Sequence, residues 1–315
     1  MNDGARPVLV MMVGLPAAGK STISDRLAKE MNATVFSSDA LREELYGDVN
    51  NQEHNSELFA ELHRRIKRCL SDGKSAIYDA CNISSKKRRT FLQEIGHITC
   101  SKECVIVATP YKQCLENNKN RDRSAPERVI ERMYRSWNTP YYFEGFDSIK
   151  IHYWDAENMW RSITYAPAWY LDYLDYEQDN PHHNLSLGAH CAKTMYYLYD
   201  SKWADYQSIE TILNAAAIHD CGKLFTKTFK NGRGKVTDVA HYYSHEHVGA
   251  YDSLFFQYVA GVNALDVSIL VDLHMKPYVW ERDNNDKLRK KYLNLWGDEL
   301  HQSVMLLHEA DKAAH

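Results

Sequence analysis

Three groups of residues in this 315-residue chain have the types and spacing that phosphate chemistry needs. The first is Gly14-Leu15-Pro16-Ala17-Ala18-Gly19-Lys20-Ser21-Thr22, which fills the pattern of a phosphate-binding loop completely. Glycines let such a loop aim its backbone N–H groups at phosphate oxygens, and the helix that follows adds its positive end. Lys20 then reaches the β- and γ-phosphates of ATP or another nucleoside triphosphate, and Ser21 holds Mg²⁺. The second group starts with Ser38-Asp39-Ala40-Leu41-Arg42, an acid and a base placed to take a proton from an attacking hydroxyl and to hold an anionic group on the acceptor. The competing reading is a helix-capping Asp with a surface Arg. The third group is Ala217-Ile218-His219-Asp220-Cys221-Gly222-Lys223, an apolar helical run ending in adjacent His and Asp. Neighbouring residues of a helix lie ~100° apart, so both can reach one metal at its edge.

Around these groups stand further candidates. Tyr78-Asp79-Ala80-Cys81-Asn82 places Asp79 where a metal-water or loop-supporting carboxylate belongs. Lys86-Lys87-Arg88-Arg89 reads either as a contact for a polyanion or as a solvated helix face. Arg121 and Arg123 precede Pro126, which suits the first position of a helix, and could close as a lid over donor phosphates. On either side of His219-Asp220 lie His182, His183 and His190, then His245-Glu246-His247, His274 and Glu309-Ala310-Asp311-Lys312. Lys223 is available to neutralise phosphate charge.

These residues need two different scaffolds. The first half alternates apolar strands with helical stretches. Strands are expected at Val8–Val13, Ala33–Ser37, Ser75–Asp79, Cys104–Ala108 and Ile149–Trp154, with a long helix from Gln52 to Leu70. Alternating βα units imply a parallel, doubly wound α/β sheet with ligands at the strand carboxyl ends. After about Asn158 the strand signal ends, and helix-length runs such as Ser208–Ile218 and Leu265–Leu273 predict an all-α second half. The expected domains are therefore 1–158 and 159–315. The aromatic-rich stretch Tyr141–Tyr176 would pack a domain interface or, alternatively, stack on nucleobases.

Charge and histidine content divide the chain in the same way. Residues 1–150 carry 23 Lys+Arg against 20 Asp+Glu, and the remainder 15 against 22, giving the overall −4. Of 15 histidines, 4 precede residue 180 and 11 follow it. Seven cysteines without a CxxC pair suit reduced thiols, and no apolar run approaches the ~18–20 residues of a membrane span. The opening residues lack the features of a signal peptide, so the expected location is cytoplasmic.

The set in residues 8–154 resembles the polynucleotide 5′-kinase family of phage and bacterial end-healing enzymes. That family follows its phosphate loop with an Asp-x-x-Arg strand end, an Asp-x-x-Asn strand end, an Arg lid and a Pro-initiated helix. The resemblance implies Asp39 as general base toward a nucleic-acid 5′-OH, Arg42 as clamp on the acceptor phosphate, and Arg121 or Arg123 as lid arginine. A second lid arginine of some relatives falls on Asn117. The order His190, His219-Asp220, Asp311 is similar to the HD phosphohydrolase signature, with His245 and His274 matching members that hold two metals. This implies a helical bundle binding one or two divalent transition metals, with Mn, Fe, Co, Ni and Zn all compatible. Together the two halves imply end healing of RNA or single-stranded DNA, in functional partnership with a nucleic-acid ligase. A nucleoside or nucleotide kinase fused to an HD nucleotidase is the alternative, and a non-catalytic HD sensor of nucleotides is a third reading.

Overall fold

The structure is a computed structural model, and it describes residues 6–48, 51, 53–121, 124–154, 173–181, 184–200, 208–256 and 261–315. Two compact units emerge: Met1–Met133 with Pro140–Ala156, and Tyr134–Thr139 with Glu157–His315. The expected boundary at 158/159 lies outside the described residues, as do Arg123, His182 and His183.

The first unit is built on a five-stranded parallel sheet: β1 (Val8–Val13), β2 (Thr34–Ser37), β3 (Ala76–Asp79), β4 (Ser101–Ala108) and β5 (Ser148–Tyr153), in the order β2-β3-β1-β4-β5. β1 lies at the centre and is buried from Leu9 to Val13, as a strand covered on both faces must be. Around the sheet come α1 (Lys20–Met31), α2 (Ser38–Tyr46), α3 (Asn55–Ser71), α4 (Ser85–Glu94), α5 (Tyr111–Lys119) and α6 (Glu127–Tyr134). In α3, Leu58, Leu62, Ile66 and Leu70 form the buried stripe that its spacing predicts, but the helix starts at Asn55 rather than Gln52. Pro126 stands just before α6 instead of at its first position, and its carbonyl accepts from Val129 N at 2.8 Å.

Among its described residues, the regular structure of the second unit is helical apart from one ribbon. Its helices are α7 (Leu187–Tyr199), α8 (Ile209–Ile218), the short α9 (Lys223–Thr226), α10 (His245–Ser253), α11 (Ala264–Leu273), α12 (Lys276–Arg282) and α13 (Asp286–Ala314), the last kinked at Gly297. Between α9 and α10 the chain forms an antiparallel ribbon, β6 (Thr228–Lys230) and β7 (Val236–His241). The expectation of an all-α half is therefore corrected. Thr228-Phe229-Lys230 and Val236-Thr237 have β propensity, and Asn231 with Gly234 supplies the turn. Residues 134–139 join this unit through Thr139, whose hydroxyl meets that of Ser268 at 2.7 Å and accepts from Trp137 Nε1 at 3.0 Å. Among the described residues, no helix is long and apolar enough to cross a membrane.

Candidate phosphate-loop and metal sites

The phosphate loop joins the carboxyl end of β1 to α1. Gly14 is there because space is absent: a Cβ would stand 2.9 Å from the carbonyl oxygen of Val107 on β4. Its N–H donates to Cys81 O at 3.1 Å. Two side chains brace the loop from outside, Thr109 donating to Ala18 O (2.8 Å) and Asn117 to Ala17 O (3.2 Å). Ala17 is held at φ +60°, a conformation L residues seldom adopt without such support. Lys20 is buried and its ammonium donates to Leu15 O at 2.7 Å, poised inside the loop. Ser21 donates to Asp79 Oδ2 at 2.9 Å, so the hydroxyl expected to meet Mg²⁺ is already oriented by the carboxylate at the end of β3. Burial pushes the Asp79 carboxyl up, while Lys20 and the Ser21 hydroxyl pull it back down. Thr22 is solvent-exposed at the start of α1.

Asp39 stands in the first turn of α2 rather than on the strand itself, with 59% of its side chain exposed. The helix cap is Ser37, whose hydroxyl accepts from Ala40 N, so Asp39 is released from that role. Arg42 is buried, donating to Asp39 Oδ1 (3.1 Å) and to Asn55 Oδ1 (2.9 Å). Capping Asp and surface Arg are thus both excluded. Among the described residues, Arg42 Nε is buried with no hydrogen-bond partner. Arg121 is exposed beyond the end of α5.

The basic run of α4 divides. Lys86 and Lys87 are exposed, but Arg88 is fully buried in a bidentate pair with Glu144 (2.6 and 2.7 Å). Its remaining arm donates to Asn82 O at 2.8 Å, and Asn82 in turn donates to Met12 O at 2.9 Å. Arg88 is therefore neither a polyanion contact nor a solvated residue. It braces the β3–α4 turn that carries Asp79.

In the second unit the histidine series converges. His190, His219 and Asp311 form one buried group able to hold a cation, and Asp220, His245 and His274 form another, the ligand atoms of each group lying within 4.8 Å of one another. Asp220 faces both. Its Oδ2 lies 3.6 Å from His190 Nε2 and 3.5 Å from His219 Nε2, while its Oδ1 lies 3.1 Å from His245 Nε2 and 3.8 Å from His274 Nε2. His190 Nε2 lies 2.9 Å from Asp311 Oδ1.

Backbone packing delivers these residues to one place. A Cβ on Gly222 would fall 2.0 Å from His245 O and 2.6 Å from Gly249 N, so the turn after α8 presses backbone to backbone on α10. His219 and His274 each follow the last residue of a helix, α8 and α11, where the negative end of the helix dipole favours a cation.

The donor chemistry fits a metal. In His219, His245 and His274 alike, Nδ1 meets the carbonyl oxygen three residues earlier, at 2.9, 2.8 and 2.7 Å. A carbonyl only accepts, so each Nδ1 carries a proton and Nε2 is the nitrogen turned to the centre, the one a metal would take. His245 Nε2 and His274 Nε2 face each other at 3.3 Å, and among the described residues His219 Nε2 is buried without a hydrogen-bond partner. Burial alone would push Asp220 up, but Lys223, His219, His245 and His274 together hold it well below the usual carboxylate range. Asp311 is likewise lowered against burial, by His219 and His190. Both acids are thus charged and the cluster attracts cations.

Lys223 is less free than its sequence position suggests. Its ammonium pairs with Asp220 Oδ2 (2.7 Å) and donates to Gln178 Oε1 (2.9 Å). Tyr278 donates to Asp311 Oδ2 at 2.9 Å. Gln178 and Tyr278, like Asn55 beside Arg42, escaped sequence reasoning because isolated polar residues far along the chain belong to no local motif.

Comparison with known proteins supports the first unit. A family model described as "AAA domain" matches residues 9–140. The chain is 26% identical over 138 residues to L-seryl-tRNA(Sec) kinase of Methanococcus maripaludis, covering 42% of this chain and 53% of that protein. Residues 9–140 carry a P-loop kinase domain. A second relative, transcription factor bHLH140 of Arabidopsis thaliana, is 27% identical over 165 residues, 49% of this chain and 17% of that protein. The chain thus spans about half the length of the first relative and about a sixth of the second. Among solved structures, the Pnkp1/Rnl/Hen1 RNA repair complex aligns with 43% of this chain and 45% of the other at 19% identity, with a TM-score of 0.36.

Proposed function

We propose that this chain is a bifunctional nucleic-acid end-healing enzyme. In this reading residues 1–158 transfer a phosphoryl group from ATP to a 5′-OH end, and residues 159–315 hydrolyse a terminal 2′-, 3′- or 2′,3′-cyclic phosphate. The observation that carries the reading is the presence, in one chain, of a pre-organised P-loop and a charged six-residue His/Asp cluster of metal-binding chemistry.

In the first unit the loop N–H groups and Lys20 would bind the donor phosphates, with Gly14, Ala17, Ala18, Gly19 and Thr22 shaping or flanking the cradle. Asp79 orients Ser21. Asp39 would take the proton of the acceptor hydroxyl, held toward it by Arg42. The unpartnered Arg42 Nε would remain for an acceptor phosphate. Arg121 would close over the donor. Ser21 would hold Mg²⁺, which when bound supplies charge neutralisation at the β- and γ-phosphates. The name L-seryl-tRNA(Sec) kinase places that relative's seryl acceptor on an RNA, which is compatible with an RNA-borne hydroxyl here.

In the second unit His190, His219, Asp220 and Asp311 would hold one divalent cation, and Asp220, His245 and His274 a second. Bound there, Mn, Fe, Co, Ni or Zn would supply Lewis-acid polarisation of a phosphoryl oxygen and a more acidic attacking water. Lys223 would neutralise phosphate charge, Gln178 would fix Lys223, and Tyr278 would fix Asp311. A nucleic-acid ligase would take the healed ends, and a cytoplasmic setting suits the free thiols.

The test incubates the protein, ATP and Mg²⁺ or Mn²⁺ with an RNA oligonucleotide bearing 5′-OH and 2′,3′-cyclic phosphate ends, read at both termini by mass spectrometry. A gained 5′-phosphate and a lost terminal phosphate are expected. Turnover of free nucleotides with the oligonucleotide unchanged would replace this reading by the nucleotide-metabolism alternative.

A further inference from the structure

The β6–β7 ribbon carries four cations in nine residues, Lys227, Lys230, Arg233 and Lys235, in a half of the chain that is otherwise strongly acidic. Lys227 is taken up locally: it pairs with Asp179 and lies 4.9 Å from the Tyr176 ring. Lys230, Arg233 and Lys235 are exposed and pair with no carboxylate among the described residues. The turn that presents them is ordered by Asn231, whose side chain accepts from both Arg233 N and Lys235 N at 3.0 Å. Exposed aromatic rings accompany the charges. Phe229 on β6 is 43% exposed and Tyr243, just past β7, is 47% exposed, with Tyr243 stacked on His241 at 5.5 Å. Large exposed rings beside uncompensated cations are the two components of a single-strand binding surface, cations for the phosphates and rings for the bases.

The ribbon is also rooted in the His/Asp cluster. Its first strand follows α9, which begins with Lys223, and its second returns through Tyr242 to His245. At the root Tyr242 donates to Gln178 O, its ring lies 5.6 Å from the Lys223 ammonium, and Tyr242 O receives His245 Nδ1. The three-residue β6 spans ~10 Å from that root, and the six-residue β7 about twice that. Neutral or small substrates need no such arm.

We infer that the β6–β7 ribbon is a docking surface for the single strand of a nucleic acid, whose phosphodiesters meet Lys230, Arg233 and Lys235 while bases stack on Phe229 and Tyr243, leading the strand terminus to the His/Asp cluster. Where the terminus goes rests on the phosphohydrolase reading above, whereas the binding of the strand does not. A second basic cluster, Lys287, Lys290 and Lys291 on α13, is exposed as well, but no exposed large aromatic residue stands in or beside it.

The experiment compares the full-length protein with a Lys230→Ala/Arg233→Ala/Lys235→Ala variant and a Lys287→Ala/Lys290→Ala/Lys291→Ala control. Anisotropy of a fluorescent single-stranded RNA oligonucleotide is followed across salt concentrations. The ribbon variant is expected to bind about tenfold more weakly at ~0.1 M salt, with the log–log salt slope lowered by about two, at roughly 0.7 per phosphate contact. The control is expected to stay within about twofold of wild type. Equal affinity and slope in wild type and ribbon variant would overturn the assignment, as would an equal loss in the control.

Hydrolysis of one terminal phosphate is then compared on an oligonucleotide and on a mononucleotide. A loss in kcat/KM confined to the oligonucleotide supports the arm, and no loss on either substrate overturns it. If wild type hydrolyses neither while the ribbon variant still loses binding, the ribbon stands and the phosphohydrolase reading falls.

Discussion

In the proposed reading the two sites meet the same demand, control of phosphate charge, by opposite means. The phosphate loop works with backbone: its N–H groups and its glycine packing are fixed by neighbouring strands, and only Lys20 and Ser21 add side-chain chemistry. The His/Asp cluster works with side chains drawn from His190 on α7 to Asp311 on α13, and its backbone serves to set tautomers. A site made of backbone survives the loss of its ligand because hydrogen bonds within the fold already satisfy it. A site made of facing imidazole nitrogens and buried carboxylates is held by Lys223, Tyr278 and its own His–Asp pairs, and a cation would complete it.

That contrast can be broken most sharply at Asp220. Asp220→Asn is expected to lower phosphoester hydrolysis by on the order of a thousandfold and to deplete bound metal, as read by elemental analysis, while leaving phosphorylation of 5′-OH ends within about twofold. Asp39→Ala is expected to do the reverse, lowering kinase turnover by ~10²–10⁴ and sparing hydrolysis. A single variant that loses both activities would defeat the idea of separate sites.

Arg88 tests whether the loop site depends on its buried brace. Arg88→Met strands Glu144 without its partner and should cost about 3–5 kcal/mol in denaturant unfolding, whereas adding Glu144→Leu should restore much of the loss. Ligands give the next contrast. Saturation with ATP at a hundredfold over its Kd should stabilise the first unit by about 2.7 kcal/mol, and chelation should lower only the transition of the second.

The narrowest contrast is a pH effect at one residue, Asp252, which accepts the Tyr134 hydroxyl at 2.6 Å. Burial pushes its carboxyl up to about 7, against the opposing Tyr134 bond. The folded protein therefore holds this proton more tightly than the unfolded chain. The stabilisation it gives is complete below pH ~4 and is lost as pH rises through about 7. Asp252→Asn should flatten the wild-type stability profile across that window by about 4 kcal/mol at most, measured by urea unfolding at several pH values.

Much of this architecture was legible in the sequence where physics is local. The P-loop announces itself because backbone approach demands glycine at fixed spacing, and the parallel strands because burial on both faces demands unbroken apolar runs. His219-Asp220 and the later histidines were legible as a series, since so many imidazoles in one half of a chain are hard to explain otherwise. What was not legible depends on tertiary partners. Arg88 reads as one of four exposed cations until Glu144, 56 residues away, is brought against it. The capping role that competed with the catalytic reading of Asp39 belongs to Ser37, a matter of two residues that only the helix start decides. The ribbon was hidden by its brevity: three residues of β6 give too little alternation to separate a strand from a loop.

The carbonyl-held histidines also bear on the order in which the chain can mature. Segments 190, 219–220, 245, 274 and 311 close on one point, spanning 121 residues between His190 and Asp311. Closing so long a loop has a large entropic cost until the last segment arrives. A cation held there would act as a reversible cross-link among five stretches of chain, installed only after residue 311 has been made. The phosphate loop, its supporting Asp79, its braces Thr109 and Asn117 and the Glu144 that anchors Arg88 are all made by residue 144, so the first site can assemble during synthesis while the second waits.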